Sequence, residues 1–306
     1  MKVLLAGANS YIGTRLIPVL LEKGYEVFCL VRDKNHFLKH NNPHAAEVTV
    51  INGDLLRRQS INPFPADIDA AYYLINTFTQ TSGFAALSVL CAQNFMDSLN
   101  RVNCRQIITL SEINNQDSEH GRSRMLVEEV LASGKAALTA FNTTMIVGDA
   151  STALEMFYIL TSKAPVVIAQ NWAKMHAQPI CIIDVLGYLE DCLLNEGTFN
   201  RKFDIGGPGV LLFRQMLLMY IAIYKDFKPK IVTLPFLNSQ LSSHLLNLLT
   251  TVSYPEAQTL VENLKYDTVC RDNSINDIIP RRCLTFKQSL RLARDTSEKT
   301  VSHLIT

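Results

Sequence analysis

Two glycines and a serine near the start of the chain have the types and spacing that suit binding of a diphosphate. Gly7 and Gly13 bracket the segment Gly7-Ala-Asn-Ser-Tyr-Ile-Gly13, and Ser10 stands in the middle. A diphosphate is bound by backbone N–H groups at the positive end of a helix dipole, and glycine lets the backbone come that close. Ser10 replaces a more usual glycine, and it can cap the helix while holding the pyrophosphate less closely. The alternative interpretation is a strand–turn–helix in which the glycines only cap.

A charged pair after the next apolar run bears on the choice of dinucleotide. Arg32 and Asp33 directly follow the predicted strand Glu26–Val31. At this place in dinucleotide-binding folds an acid binds the ribose 2′-hydroxyl of NAD, whereas a basic group accommodates the 2′-phosphate of NADP. Because Arg32 comes first, the sequence favours NADP, with NAD as the second choice. The opposing interpretation is that both residues are solvated loop charges.

These groups need a parallel sheet that brings them to one edge, and the hydrophobic pattern predicts such a sheet. Strands are predicted over Lys2–Ala6, Glu26–Val31, Val48–Asn52, Ala70–Ile75, Gln106–Ser111 and Ala137–Phe141. Helical patterns alternate with them, and the helix over 121–133 is expected to turn Met125, Leu126, Val130 and Leu131 inward. Strand and helix in alternation predict an α/β fold with a doubly wound parallel Rossmann sheet.

The pattern changes beyond Gly148. A helix over Leu154–Thr161 and a strand over Pro165–Ala169 are predicted, followed by a return to the sheet at about 179–207. Further helices are predicted over Phe213–Tyr224, Leu237–Thr251 and Pro255–Asn263. We therefore predict an NAD(P)-binding Rossmann domain over residues 1–150 and a smaller, mostly helical substrate or lid lobe over residues 151–306.

Composition excludes several classes of protein. The chain has 306 residues and a net charge of +1, so it lacks the electrostatic footprint of a nucleic-acid binder. No apolar run reaches the length of a membrane span, and Lys2 already opens the first strand, so no signal peptide is expected. The seven cysteines form no Cys-x-x-Cys pair, which argues against a metal site and for a reducing cytoplasm. A hydrophobic content of 48% leaves room for a homo-oligomer interface.

Motifs spread over two thirds of the chain resemble those of the atypical extended short-chain dehydrogenase/reductases, and more narrowly the NmrA-like and nucleoside-diphosphate-sugar-epimerase-like members. The motifs are Gly7-Ala-Asn-Ser-Tyr-Ile-Gly13, Leu30-Val-Arg-Asp33, Gly53-Asp54-Leu55, Ala71-Tyr-Tyr-Leu74, Pro179-Ile-Cys-Ile-Ile-Asp184-Val and Phe203-Asp-Ile-Gly-Gly-Pro208. The resemblance implies binding of NADP(H) or NAD(H). The predicted cofactor-binding residues are Gly7, Asn9, Ser10, Tyr11, Ile12, Gly13, Arg32, Asp54, Leu55, Ile75, Asn76, Thr77, Asn142 and Thr143. Asp54 is compatible both with a contact to the adenine amino group and with a helix cap.

The catalytic residues of the family are only partly present. Hydride-transferring members use a Ser, a Tyr and a Lys four residues after the Tyr. Ser111 fits the first role by position, but no Tyr-x-x-x-Lys occurs between residues 111 and 141. The equivalent helix start reads His120-Gly-Arg-Ser-Arg124, in which His120 can move a proton near neutral pH and Arg124 can bind the ribose or an anion. In the plainer interpretation Ser111 ends a strand, His120 is an exposed loop residue, and Arg124 pairs with Glu128.

Two functions from different classes follow from these residues. The first is an NADP(H)-dependent oxidoreductase or epimerase-like enzyme acting on a small molecule of unknown identity. The second is a catalytically degenerate NADP-binding regulator, redox sensor or assembly factor, which the missing Tyr and Lys favour. Asn142 and Thr143 fall in the predicted cleft, where they could bind substrate hydroxyls, the nicotinamide amide or nothing.

Overall fold

The computed structural model of the chain describes residues 1–40, 43–75, 83–113, 119–161, 166–169, 171–225, 230–233 and 266–305. The strands are β1 (Lys2–Ala6), β2 (Glu26–Val31), β3 (Thr49–Asn52), β4 (Ala70–Tyr73), β5 (Gln106–Glu112), β6 (Ala137–Thr143), β7 (Ile146–Val147), β8 (Val166–Ala169), β9 (His176–Ala177), β10 (Ile180–Cys181), β11 (Arg201–Ile205), β12 (Leu211–Leu212) and β13 (Lys230–Thr233). The α-helices are α1 (Tyr11–Glu22), α2 (Lys34–His40), α3 (Phe84–Leu99), α4 (Glu119–Ala132), α5 (Thr152–Thr161), α6 (Ile182–Asp191), α7 (Phe213–Tyr224) and α8 (Phe286–Ile305).

The chain divides into two compact units, each built from separate stretches of sequence. Unit 1 consists of Met1–Asn142, Leu186–Asp204 and Asp272–Pro280, and unit 2 of Thr143–Val185, Ile205–Arg271 and Arg281–Thr306.

The core of unit 1 is a seven-stranded sheet in the order β3-β2-β1-β4-β5-β6-β11. The pairs β1–β2, β2–β3, β1–β4 and β4–β5 are parallel. The start of β6 lies beside the start of β5, where Ala137 N donates to Arg105 O. The start of β11 lies beside that of β6, where Leu138 N donates to Asn200 Oδ1 at 3.1 Å. The predicted parallel Rossmann sheet is therefore confirmed.

Helices pack their apolar faces on this sheet. α1 buries Leu16, Ile17 and Leu20, which lie on one face of the helix. α3 places the Phe95 ring against that of Tyr73, with 5.1 Å between the ring centroids. Burial of such large apolar side chains is the main favourable contribution to folding.

The orientation predicted for α4 is wrong in two positions. Met125 is 39% and Leu126 is 47% exposed, whereas Val127 and Leu131 are buried. The buried face of α4 follows the spacing Ser123, Val127, Leu131, so a small polar residue takes a core position that the hydrophobic pattern alone assigned to Met125 and Leu126.

A buried glutamine ties the amino end of the sheet to the segment after α6. Gln106 is fully buried, and its Nε2 donates to Thr139 Oγ1 at 2.8 Å and to Cys192 O at 3.0 Å. Its Oε1 accepts Leu194 N at 2.5 Å. Because a buried amide is costly without partners, this network holds residues 192–194 to the central strands.

The described part of unit 2 has short strand pairs and a cluster of aromatic side chains. β7 and β8 pair in parallel with β10 and β13, while β9 and β12 are antiparallel. Phe157 of α5 contacts the rings of Phe213, Tyr220 and Phe286 from α7 and α8. The helices predicted over Leu237–Thr251 and Pro255–Asn263 lie outside the described residues.

Candidate functional site

The turn after β1 is built for close approach of the backbone. Gly7 has φ +99°, a conformation that favours glycine, and a Cβ there would lie 2.5 Å from Leu74 O at the end of β4. Gly7 O accepts Ser10 N at 2.9 Å, which closes the turn. A Cβ at Gly13 would overlap Gly7 O and lie 3.0 Å from Ala8 Cα. A side chain at either glycine would therefore collide with neighbouring backbone atoms.

Ser10 is the N-cap of α1, as its sequence position predicts. Its Oγ accepts Gly13 N at 3.0 Å, and its backbone is extended. The first amides of a helix have no acceptor within the helix, so Ile12 N is directed to the N-terminal end of α1. The helix dipole and this amide provide what a diphosphate needs, and the glycine cradle fits it. Asn9 is exposed at the same turn.

The two charges after β2 have different surroundings. Asp33 Oδ1 accepts His36 N at 2.9 Å, and Asp33 O accepts Phe37 N at 3.1 Å, so Asp33 caps α2. Arg32 is exposed at the carboxyl end of β2. The carboxylate is thus engaged with the protein, while the guanidinium faces outward. The cap was not predicted from the sequence, because the short helix α2 was not predicted either.

The loop after β3 is held from both sides. Asp54 N donates to Ser60 Oγ at 2.9 Å, and Asp54 Oδ1 accepts Leu56 N at 3.0 Å, so its carboxylate stabilises a local turn. Asn94 of α3 is buried, and its Nδ2 donates to Leu55 O at 2.7 Å. Asn94 thus fastens the loop to α3, a role that was not predicted from the sequence although a polar residue among the apolar positions of α3 was the available signal.

The charges of Arg32 and Asp54 both act on one thiol. Burial raises the pKa of Cys91 to about 12, the Asp54 carboxylate adds to the rise, and the Arg32 guanidinium opposes it. Charges act on a neighbouring group in this way only over short distances. The carboxyl ends of β2 and β3 therefore bring the two predicted adenosine-binding side chains to the same part of unit 1.

Arg124 lies on the other side of β1, at the end of β4. Its Nη1 donates to Ile75 O at 3.3 Å. Burial lowers the pKa of Arg124, against the opposing influence of Glu112, Tyr73 and Glu128. Glu128 contacts Lys202 Nζ at 2.6 Å, so the described ion pair of this carboxylate is not the predicted one with Arg124.

The remaining predicted residues differ in how far the structure describes them. Ser111 is buried near the end of β5. His120 belongs by its backbone to the first turn of α4, but its side chain lies outside the description, as do Asn76 and Thr77. Asn142 Nδ2 donates to Asp204 Oδ1 at 3.0 Å, and the buried Thr143 hydroxyl donates to Thr144 O at 3.4 Å. Both polar groups thus have partners within the protein.

The described part of the chain contains neither a candidate metal site nor a candidate membrane-spanning helix. No cluster of three or more His, Cys, Asp or Glu side chains has the arrangement of a metal site there. None of the helices described combines the length and the apolar composition that crossing a bilayer requires.

Comparison with known proteins agrees with this geometry. A family described as NAD(P)H-binding matches residues 7–145, and no curated protein sequence matches the chain. UDP-glucose 4-epimerase from Thermotoga maritima superposes with a TM-score of 0.70 at 11% identity, covering 98% of this chain and 100% of that one. Triphenylmethane reductase from Citrobacter sp., in complex with NADP(H), gives a TM-score of 0.73 at 12% identity over 96% and 100% of the two chains. An enzyme from Bordetella bronchiseptica in complex with NAD⁺ gives 0.67 at 11% identity over 95% and 96%.

Residues 7–145 therefore match an NAD(P)H-binding family, and the chain has the Rossmann fold of these neighbours. The neighbours include short-chain dehydrogenase/reductase and nucleotide-sugar epimerase structures, so the chain shares its fold with the families that the motifs resemble. At such low identities the likeness shows the fold, and the neighbours contain either NAD or NADP.

Proposed function

We propose that this chain binds NADP(H) in unit 1 and acts as an oxidoreductase on a small molecule. The observation that carries the choice of NADP is the arrangement after β2. The Asp33 carboxylate accepts the His36 amide, while Arg32 is exposed where a ribose 2′-phosphate would lie. An acid committed to a helix cap is poorly placed to accept a hydrogen bond from the 2′-hydroxyl of NAD.

The proposed chemistry uses Ser111 near the end of β5 together with His120 and Arg124 of α4. When bound, the nicotinamide would supply or accept the hydride. The Ser111 hydroxyl would orient the substrate oxygen, and the His120 imidazolium would donate a proton to that oxygen during reduction. Arg124 would hold a charged or polar group, because a guanidinium does not lose its proton at physiological pH.

A second function is supported by the residues that α4 lacks. The missing Tyr and Lys, and the Arg124 guanidinium that donates to Ile75 O, favour a catalytically degenerate NADP-binding regulator or assembly factor. Redox sensing by its buried thiols is disfavoured, since burial raises the pKa of Cys29, Cys91 and Cys104 to about 12. Thiols that stay protonated are poor nucleophiles.

Calorimetry with NADPH and NADH tests the cofactor proposal. A hydrogen-bonded guanidinium–phosphate pair is worth roughly tenfold or more in affinity, so NADPH should bind more tightly by at least that factor. Arg32→Ala should remove the preference, whereas Arg101→Ala, which changes an exposed arginine after α3, should retain it. Equal affinity of the unaltered protein for the two nucleotides would contradict the proposal. A panel of carbonyl compounds and sugar nucleotides then separates the two functions, since a regulator turns none of them over.

A further inference from the structure

The guanidinium of Arg124 has few negative partners among the residues that the structure describes. Among the residues that the structure describes, no carboxylate lies within ion-pairing distance of it, and its one hydrogen bond is the 3.3 Å contact of Nη1 with Ile75 O. The nearest acid along α4, Glu128, contacts Lys202 instead at 2.6 Å. Arg124 therefore keeps several N–H donors and its full charge at the carboxyl edge of the sheet.

This arrangement is unfavourable without an anion. Arg124 is half-buried, and burial lowers its pKa against the opposing influence of Glu112, Tyr73 and Glu128, none of which forms an ion pair with it among the described residues. A hydrogen bond to a neutral carbonyl oxygen offsets only part of the desolvation free energy of the guanidinium. An incoming oxyanion would accept two parallel hydrogen bonds from the planar guanidinium.

The phosphates of the proposed cofactor are assigned to sites other than Arg124. The pyrophosphate would lie at the turn after β1, and the 2′-phosphate at Arg32 after β2. In the strand order β2-β1-β4-β5, Arg124 is bonded to the chain beyond β4 and belongs to the helix after β5. Arg124 thus lies across β1 from Arg32, on the side where a dinucleotide carries its nicotinamide, which brings no negative charge.

We infer that Arg124 binds an oxyanion of the substrate, a carboxylate or a phosphate, so that the enzyme acts on a small anionic carbonyl compound. The inference rests on the proposed function, because it assigns the phosphates of NADP(H) to the turn and to Arg32. Arg124 would bind the anionic end of the substrate and so orient the substrate carbonyl group toward Ser111.

Matched probe pairs test the inference by binding rather than by turnover. The pairs are 2-oxobutyrate with its methyl ester, and dihydroxyacetone phosphate with dihydroxyacetone, each titrated against the full chain saturated with NADP⁺, which cannot reduce them. Dissociation constants come from calorimetry or thermal shift. In at least one pair the oxyanion should bind about tenfold more tightly than its neutral partner. The pair with the larger ratio distinguishes a carboxylate from a phosphate substrate.

Substitutions then test whether Arg124 causes the preference for the anionic probe. Arg124→Gln should reduce the anion-to-neutral ratio to about one and leave the NADPH dissociation constant within about twofold, and Arg124→Lys should retain part of the ratio. Arg101→Gln is the matched control and should change neither quantity. Equal binding of charged and neutral probes, or a tenfold loss of NADPH affinity in Arg124→Gln, would overturn the inference. If the unaltered chain fails to bind NADPH, the proposed function falls, and the same pairs titrated without nucleotide still decide the role of Arg124.

Discussion

Gly13 lies where the turn after β1 and the first residues of α1 come closest together. A Cβ at this position would overlap the Gly7 carbonyl oxygen, which is backbone and cannot rotate away. The same carbonyl accepts Ser10 N, so displacing it also disturbs the cap of α1. The diphosphate site is therefore sensitive to a single methyl group at a residue that contributes no side chain.

We expect Gly13→Val to abolish most NADPH binding while the protein stays folded. Relieving such a clash costs on the order of 1–3 kcal/mol, which corresponds to roughly tenfold or more in affinity. Gly209→Ala is the control, since a Cβ at Gly209 would meet no atom within 4 Å. Circular dichroism checks folding and calorimetry measures binding. A folded Gly13→Val protein with unchanged affinity would rule out the proposed diphosphate site.

His120 is the candidate proton donor at the start of α4. If its imidazolium gives the proton during reduction, kcat should fall as the pH rises through the titration of the imidazole, because the charged form is lost. His120→Ala should lower kcat by about 10²–10⁴-fold and flatten this part of the pH profile. His44→Ala, which alters the partner of Glu47, should leave both unchanged. A His120→Ala protein with an unaltered pH profile would remove His120 from the chemistry.

At the scale of the element, α4 has one face buried against unit 1 and another exposed. Its buried face carries Val127 and Leu131, while Met125 and Leu126 are exposed. The exposed positions 122, 125, 126 and 129 recur at the spacing of one helix face. Arg122 stands at one end of this stripe and Glu129 at the other, with the apolar pair midway between them. A stripe of this kind is complementary to itself when two copies of the helix pack antiparallel.

The predicted homo-oligomer can therefore be tested at α4. We expect a dimer in which Met125 and Leu126 meet their counterparts and Arg122 lies opposite Glu129 of a second copy. Like charges placed opposite each other in an interface are costly, so Glu129→Arg should weaken the dimer, and the double variant R122E/E129R should restore it. Analytical ultracentrifugation gives the dissociation constants. A monomer at all concentrations, or a double variant as weak as the single one, would contradict this interface.

At the scale of the whole molecule, unit 1 is assembled from three stretches of chain. β11 pairs with β6 at one edge of the sheet, and Gln106 in β5 is bonded to Cys192 O and to Leu194 N. Tyr72 OH donates to Leu189 O at 2.6 Å. The sheet that carries the candidate site therefore depends on residues beyond position 185. The predicted domain boundary at about residue 150 stays a prediction.

A fragment of residues 1–150 tests that boundary. It keeps every predicted cofactor-binding residue but removes the Cys192 and Leu194 partners of Gln106 and the Leu189 partner of Tyr72. It also exposes β6 as an edge strand, which favours aggregation. We expect it to aggregate or to lose NADPH binding, as measured by size-exclusion chromatography and calorimetry. Residues 1–210, which restore α6 and β11, should recover at least part of the binding. A fragment of residues 1–150 with the affinity of the full chain would show that the first 150 residues suffice.

Much of the fold was determined by the sequence alone, because its signals are local. Strand β1, the Ser10 cap and the bounds of α7 follow from apolar spacing and capping chemistry within a few residues. The glycines of the turn were likewise predictable, since their role depends on backbone conformation. These local signals also determined the parallel sheet, since strands alternating with helices leave few other arrangements.

Only the tertiary structure decided which distant groups meet. Asn94 reaches Leu55 across 39 residues, Arg124 reaches Ile75 across 49, and Gln106 reaches Cys192 across 86. Such pairs leave no periodic trace in the sequence, because each polar group is satisfied by whichever partner the packing of helices and strands places beside it. For the same reason the outward turn of Met125 and Leu126, and the choice of Ile75 O by Arg124, could not be derived from spacing along α4.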